Sequence, residues 1–81
     1  MPRVHLMSDH RRFTDGEAVV ESEGATVGAV IADLEQRYPG LGEALTHGAS
    51  AGVNGEIHAE PQYLEVDADT DIYFVAPLTG G

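Results

Sequence analysis

Apolar residues recur at two different periods along this chain, and the change of period marks out its elements. Val27, Val30, Ile31, Leu34 and Tyr38 stand at i, i+3, i+4, i+7 and i+11, one face of an α-helix. Thr26, just before them, is a good N-cap: its hydroxyl can accept from a first-turn amide. Asp33 and Arg37 stand i, i+4 on the wet side and predict a surface ion pair. Tyr38-Pro39-Gly40 ends the helix, because proline disfavours helical geometry in the residue before it and glycine reaches a left-handed turn. Gly28 falls in the first turn, where it lowers helix propensity for no reason visible in the sequence.

Shorter stretches carry strand signals. Val4-His5-Leu6 starts a first strand and Ala18-Val19-Val20-Glu21 makes a second. Between them, Ser8 to Gly16 is polar, with Phe13 its one large apolar residue and Thr14-Asp15-Gly16 a turn signal. Together they predict a hairpin with a wide loop. Leu41 to Gly48 reads as a helical turn or a loop. Ser50 to Val53 and Glu56-Ile57-His58 flank Asn54-Gly55, which supplies the two positive φ angles of a type I′ hairpin turn. Pro61 interrupts, Tyr63 to Val66 is a short strand or extended link, and Asp67 to Asp71 is an acidic turn. Ile72 to Ala76 is apolar at nearly every residue and predicts a central strand buried on both faces. The order β-β-α-β-β-(β) predicts an α+β fold, one main helix packed across a mixed sheet.

Composition narrows the chemistry. Eighty-one residues make one domain, and a chain of this size buries only about 60–65% of its unfolded surface. It has no Cys, hence no disulfide, thiolate metal site or thiol nucleophile, as suits a reducing compartment. The N-terminus lacks an apolar run of signal-peptide length and no segment is long enough to span a bilayer, so a cytoplasmic location is expected. Fourteen acidic residues face four Arg and no Lys, a formal net charge of −10. That balance argues against nucleic acid and anionic membranes. It suits a basic protein partner and a merely solvated surface equally. Without Lys, the chain cannot carry an isopeptide-linked copy of itself on a side chain.

Motif matches fail on context. Gly48-Ala49-Ser50-Ala51-Gly52 fits the G-x-S-x-G elbow, but a hairpin follows where a helix is needed, and the only downstream His is His58. Asp67-Ala68-Asp69-Thr70-Asp71 starts like a calcium loop, yet Ile72 and Leu78 occupy the positions that need Gly and Glu. His5, His10, His47 and His58 are scattered, without metal-site spacing. Gly40-Leu41-Gly42 lacks the third glycine of a dinucleotide fingerprint. Arg11-Arg12, the only basic pair, reads as an exposed loop pair. With no base, nucleophile or metal ligand set in view, any chemistry is expected to act on this chain.

The end of the sequence supplies a candidate. Pro77-Leu78-Thr79 form a short rigid exit, and Gly80-Gly81 present a carboxylate with no side chain near it. Such an end threads a slot that a Cβ would block. From Pro77 to Gly81 the extended chain spans roughly 17 Å. By itself the diglycine is also compatible with a frayed end.

Gly24-Ala25-Thr26-Val27-Gly28, Leu34, Tyr38-Pro39-Gly40-Leu41, Val53-Asn54-Gly55-Glu56 and Pro77-Leu78-Thr79-Gly80-Gly81, in this order, resemble the ubiquitin-like sulfur-carrier family. That family includes the small subunit of molybdopterin synthase and the thiamine-biosynthesis sulfur carrier. The resemblance implies a β-grasp domain over 1–76 and a flexible tail over 77–81. It implies a carrier rather than an enzyme, in the position of a small subunit of a sulfurtransferase complex. Gly81 would be the carrier residue, Gly80 would give clearance, and Thr79, Leu78 and Pro77 would line a partner's slot. The apolar face beside the last strand would dock that partner. The partners implied are a ubiquitin-activating-type adenylyltransferase, which uses ATP, and an acceptor such as a large molybdopterin synthase subunit or a thiazole synthase. No cofactor bound by the chain itself is implied. Molybdenum-cofactor synthesis is the first pathway expected; thiamine or another thiocarboxylate pathway, or protein modification, are the alternatives. The Ala76-Pro77-Leu78-Thr79 approach and the polar Glu60 to Tyr63 stretch depart from the family pattern.

Overall fold

The helical periodicity is realised as α1, Val27–Arg37, in a computed structural model that describes residues 1–75. Thr26 caps it as expected, its Oγ1 accepting from the Ala29 amide at 3.1 Å. Val27, Val30, Ile31 and Leu34 are buried, and Tyr38 packs at the edge of the core. Asp33 and Arg37 pair at 3.2 Å. Asp33 does more than face solvent: it also accepts from the buried Ser22 hydroxyl at 2.8 Å. Arg37 donates in turn to the Glu21 carbonyl. These contacts tie the outer side of the helix to the segment that precedes it.

Five short strands form one mixed sheet: β1 Arg3–His5, β2 Val19–Glu21, β3 Ser50–Val53, β4 Glu56–His58 and β5 Asp71–Val75. Their spatial order is β2-β1-β5-β3-β4. β1 pairs parallel with β5, His5 facing Tyr73, and the other neighbours are antiparallel. The Asn54-Gly55 turn joins β3 to β4 with φ of 53° and 83°, the two positive angles that the dipeptide predicts. The last strand is central, as its composition predicts, but it is not buried on both faces. Ile72 and Phe74 face the core while Tyr73 is half exposed. The core, with both helices, lies against one side of the sheet and leaves the other open, so the strand alternates although its sequence does not.

Leu41 to Gly48 resolves as a second helix, α2, whose Leu41 and Leu45 enter the same core as α1. Its start is capped across the inter-helix turn: the Glu35 carboxylate accepts from the Gly40 and Gly42 amides at 2.9 and 2.8 Å. The wide loop between β1 and β2 contains a 3-10 helix at Ser8–Thr14, and Phe13 packs against the core. The stretch Tyr63 to Val66 is pinned to the start of α1, with Val27 N–H donating to the Leu64 carbonyl and Val66 N–H to that of Ala25. Gly28 now has a reason. A Cβ there would sit 3.1 Å from the Gln62 carbonyl oxygen, where a short 3-10 turn at Pro61–Tyr63 crosses the helix. Together these elements form the β-grasp arrangement.

Candidate functional site

The open face of the sheet carries a shallow groove of about 560 Å³. Gly52, Ile57, Tyr73 and Val75 give it an apolar floor, and Asp69 and Asp71 an acidic edge. Two large apolar side chains stand in it half exposed, Tyr73 at 50% and Ile57 at 51%. Strand alternation puts them there: residue 73 lies on the side of β5 opposite Ile72 and Phe74, and β4 is the edge strand. Gly52 faces Tyr73 across the ladder and Ile57 across the hairpin, so the absence of a side chain at 52 opens the floor between the two.

A cluster on β1 and β5 holds the other side of Tyr73. The His5 ring stacks on Tyr73 with centroids 4.0 Å apart. Its Nε2 lies 2.9 Å from Asp71 Oδ1, and Arg3 donates to both Asp71 oxygens at 2.8 and 3.1 Å. The bidentate Arg3 bond, then the His5 bond, hold the Asp71 carboxyl far below the usual carboxylate range. Sequence reading did not foresee this cluster. Its only trace is that Arg3-x-His5 and Asp71-x-Tyr73 share a period of two, and only the parallel register of β1 on β5 brings them together.

An open, partly apolar face does lie beside the last strand. The expected site residues Pro77, Leu78, Thr79, Gly80 and Gly81 lie outside the described residues, as does Ala76. What the structure fixes is where they start: Val75 ends β5, the middle strand, opposite Ser50.

The rejected motifs have structural explanations. Ser50 is buried at the start of β3 and follows α2, so the chain runs helix to strand there, the reverse of an elbow. Asp67 forms a self-contained turn, its Oδ1 accepting from Asp69 N–H at 2.9 Å and Thr70 Oγ1 at 3.1 Å. Among the described residues no group of three or more His, Asp or Glu is placed to hold a metal ion. Nor is any described helix long and apolar enough to cross a membrane. A second cavity, about 440 Å³, lies between the 3-10 helix and α2, lined by Asp9, His10, Arg12, Glu43 and His47. His10 is buried there with its Nδ1 unpartnered, and burial lowers its pKa.

Comparison with known proteins places the chain among similar ones. The ThiS family model matches residues 4–81. The sulfur carrier protein CysO of Mycobacterium tuberculosis is 45% identical over 42 residues, 52% of this chain and 45% of the relative. The aligned segment thus spans under half the length of that relative. The crystal structure of an Amycolatopsis orientalis BexX/CysO complex contains a chain that superposes with a TM-score of 0.84 at 27% identity, covering 100% of both chains. The crystal structure of Mycobacterium tuberculosis CysO superposes with a TM-score of 0.85 at 24% identity, covering 96% of this chain and 100% of that one, and supports the fold alone.

Proposed function

The chain belongs to the ThiS family, and we propose on that premise that it is a sulfur carrier that acts through the Gly81 carboxylate. The observation that carries this reading is that the family match runs to residue 81 and so takes in Gly80-Gly81. The division into a body over 1–76 and a tail over 77–81 is part of the proposal.

A carboxylate is a poor electrophile. The Gly81 oxygen attacks the α-phosphate of ATP on a partner adenylyltransferase, pyrophosphate leaves, and an acyl-adenylate results. Sulfur from a donor then displaces AMP and leaves a thiocarboxylate, which an acceptor consumes. Gly80 leaves room in the partner's slot, Leu78 and Thr79 contact its walls, and Pro77 stiffens the exit. The groove around Tyr73 and Ile57 docks the body beside that slot, so binding energy far from the reacting atoms positions them. ATP binds to the partner, and the chain needs no cofactor of its own. The complex of the Amycolatopsis orientalis CysO with BexX supports a docking role for proteins of this shape.

Molybdopterin synthesis, first in line on the sequence, gains nothing from the relatives, which are named for carrying sulfur and for no acceptor. The acceptor decides between a molybdopterin synthase large subunit, a thiazole synthase and a third enzyme. The test is the intact mass of the chain after incubation with an adenylyltransferase encoded beside its gene, ATP and a sulfide source. Replacement of one oxygen by sulfur at the terminus supports the reading. An unchanged mass refutes it, and an amide-linked adduct of another protein assigns the chain to the modifiers instead.

A further inference from the structure

A protein that carries an activated acyl group on its own tail exposes its own side chains to that group. This chain has no Lys and no Cys, and its four side-chain cations are all Arg. Lysine amines capture activated acyl groups as stable amides and cysteine thiolates capture them as thioesters. A guanidinium stays protonated and does neither. Histidine is no sink, because an acyl-imidazole is itself activated and passes the acyl group on. Cationic positions are nevertheless in use, with Arg3 on Asp71 at 2.8 Å and Arg37 on Asp33 at 3.2 Å.

Topology makes the exposure severe. Six residues follow Val75, enough to span at most about 20 Å. The body measures 33 × 28 × 17 Å, so a large share of its surface lies within reach of an acyl group on Gly81. A short tether gives such neighbours an effective concentration around millimolar. The last turn of α2, with the exposed His47, comes just before Ser50, the residue that faces Val75 across the ladder. Met1 precedes β1, and the parallel pairing of β1 with β5 sets it at the opposite end of the sheet from Val75.

We infer that the chain is a self-inert acyl donor: its surface is cleared of side-chain amines and thiols so that the activated Gly81 carbonyl reaches only the sulfur donor. The inference rests on the carrier reading. The reaction it excludes is attack of a lysine amine on that carbonyl. The C–N bond would form, the C–O bond to AMP would break, AMP would leave with the electron pair and the amine proton would pass to water.

Restoring one amine tests the inference. His47→Lys places a nucleophile near the end of β5, and His47→Arg carries the same charge without one. Glu23→Lys, beyond β2 at the far end of the sheet, controls for distance. Each variant is incubated with the activating enzyme and ATP, first without and then with sulfide, and followed by intact mass. Thermal melts confirm that each is folded. His47→Lys is expected to yield a chain lighter by one water, an internal amide, or amide-linked dimers, with a matching loss of thiocarboxylate. His47→Arg should charge as the native chain does, and Glu23→Lys, near the limit of the tail's reach, should give less amide than His47→Lys. Native thiocarboxylate yield from His47→Lys, with no amide product, overturns the inference. Failure of the native chain to form an adenylate overturns the carrier reading instead.

Discussion

His5 and Tyr73 lie face to face on neighbouring strands, ring centroids 4.0 Å apart and planes 13° from parallel. The stack holds a half-exposed aromatic ring upright on the open sheet face, and Asp71 fixes the imidazole from its edge. A rigid aromatic at the middle of a groove is the kind of anchor that dominates interface energy. Tyr73→Ala should therefore weaken binding to the activating enzyme by roughly tenfold or more, a loss of at least ~1.4 kcal/mol. The melting temperature should change little, because half of the ring is already in water. Titration by calorimetry beside a thermal melt checks both halves. Unchanged affinity would move the docking face elsewhere.

Gly42 and Glu35 form the joint between the helices. The carboxylate accepts from the Gly42 amide at 2.8 Å, and a Cβ on residue 42 would meet the Glu35 Cβ at 2.7 Å. Gly42→Ala must push Glu35 away and break the cap at the start of α2. A destabilisation of about 1–3 kcal/mol in denaturant melts is expected. If Gly42→Ala is as stable as the native chain, helix propensity outweighs the contact and the joint is not needed.

How much of this was legible depended on sequence distance. The α1 face, the Thr26 cap and the Asn54-Gly55 turn each depend on residues a few positions apart, and each stands where pattern placed it. The reason for Gly28 was hidden because Gln62, its neighbour, is remote in sequence. The Glu35 cap was hidden because it crosses the inter-helix turn. The strand β5 looked buried on both sides because its composition does not alternate, and only the one-sided placement of the helices exposes Tyr73. The groove itself needed the parallel register that sets His5 against Tyr73. Local rules recovered α1, its cap and the hairpin turn, and strand pairing brought the groove residues together.

His10 links stability to pH. It is only 5% exposed, and burial, reinforced by Arg12 and opposed by Asp9, lowers its pKa from the usual ~6.5. The unfolded chain then binds the proton first, so the native state is favoured above about pH 6.5 and loses that advantage as pH falls toward the folded value. Melting temperature should drop between pH 7 and 5, and His10→Leu should flatten that drop. Asp71, held low by Arg3 and His5, has the same sign of effect but acts below the ordinary carboxylate range, near pH 4 and under. A melt profile in His10→Leu that falls as steeply as the native one between pH 7 and 5 would assign the slope to another group.

The tail should be separable from the fold. Among the described residues the core is assembled from residues 4 to 74, and the last ladder pair is Ser50 with Val75. Deleting Gly81, or appending one residue after it, should leave the melting temperature nearly unchanged. The same changes should abolish activation, because the reacting carboxylate moves by one residue, about 3.3 Å, where even ~1 Å of misplacement costs ~100-fold in rate. Gly80→Ala should impair activation less completely, since its added methyl narrows the fit without moving the carboxylate. ATP–pyrophosphate exchange with the activating enzyme reads the chemistry, and a melt of each variant reads the fold. If the chain extended by one residue exchanges as fast as the native one, the terminal carboxylate is not the reacting group. The groove on the sheet face would then have to be explained by binding alone.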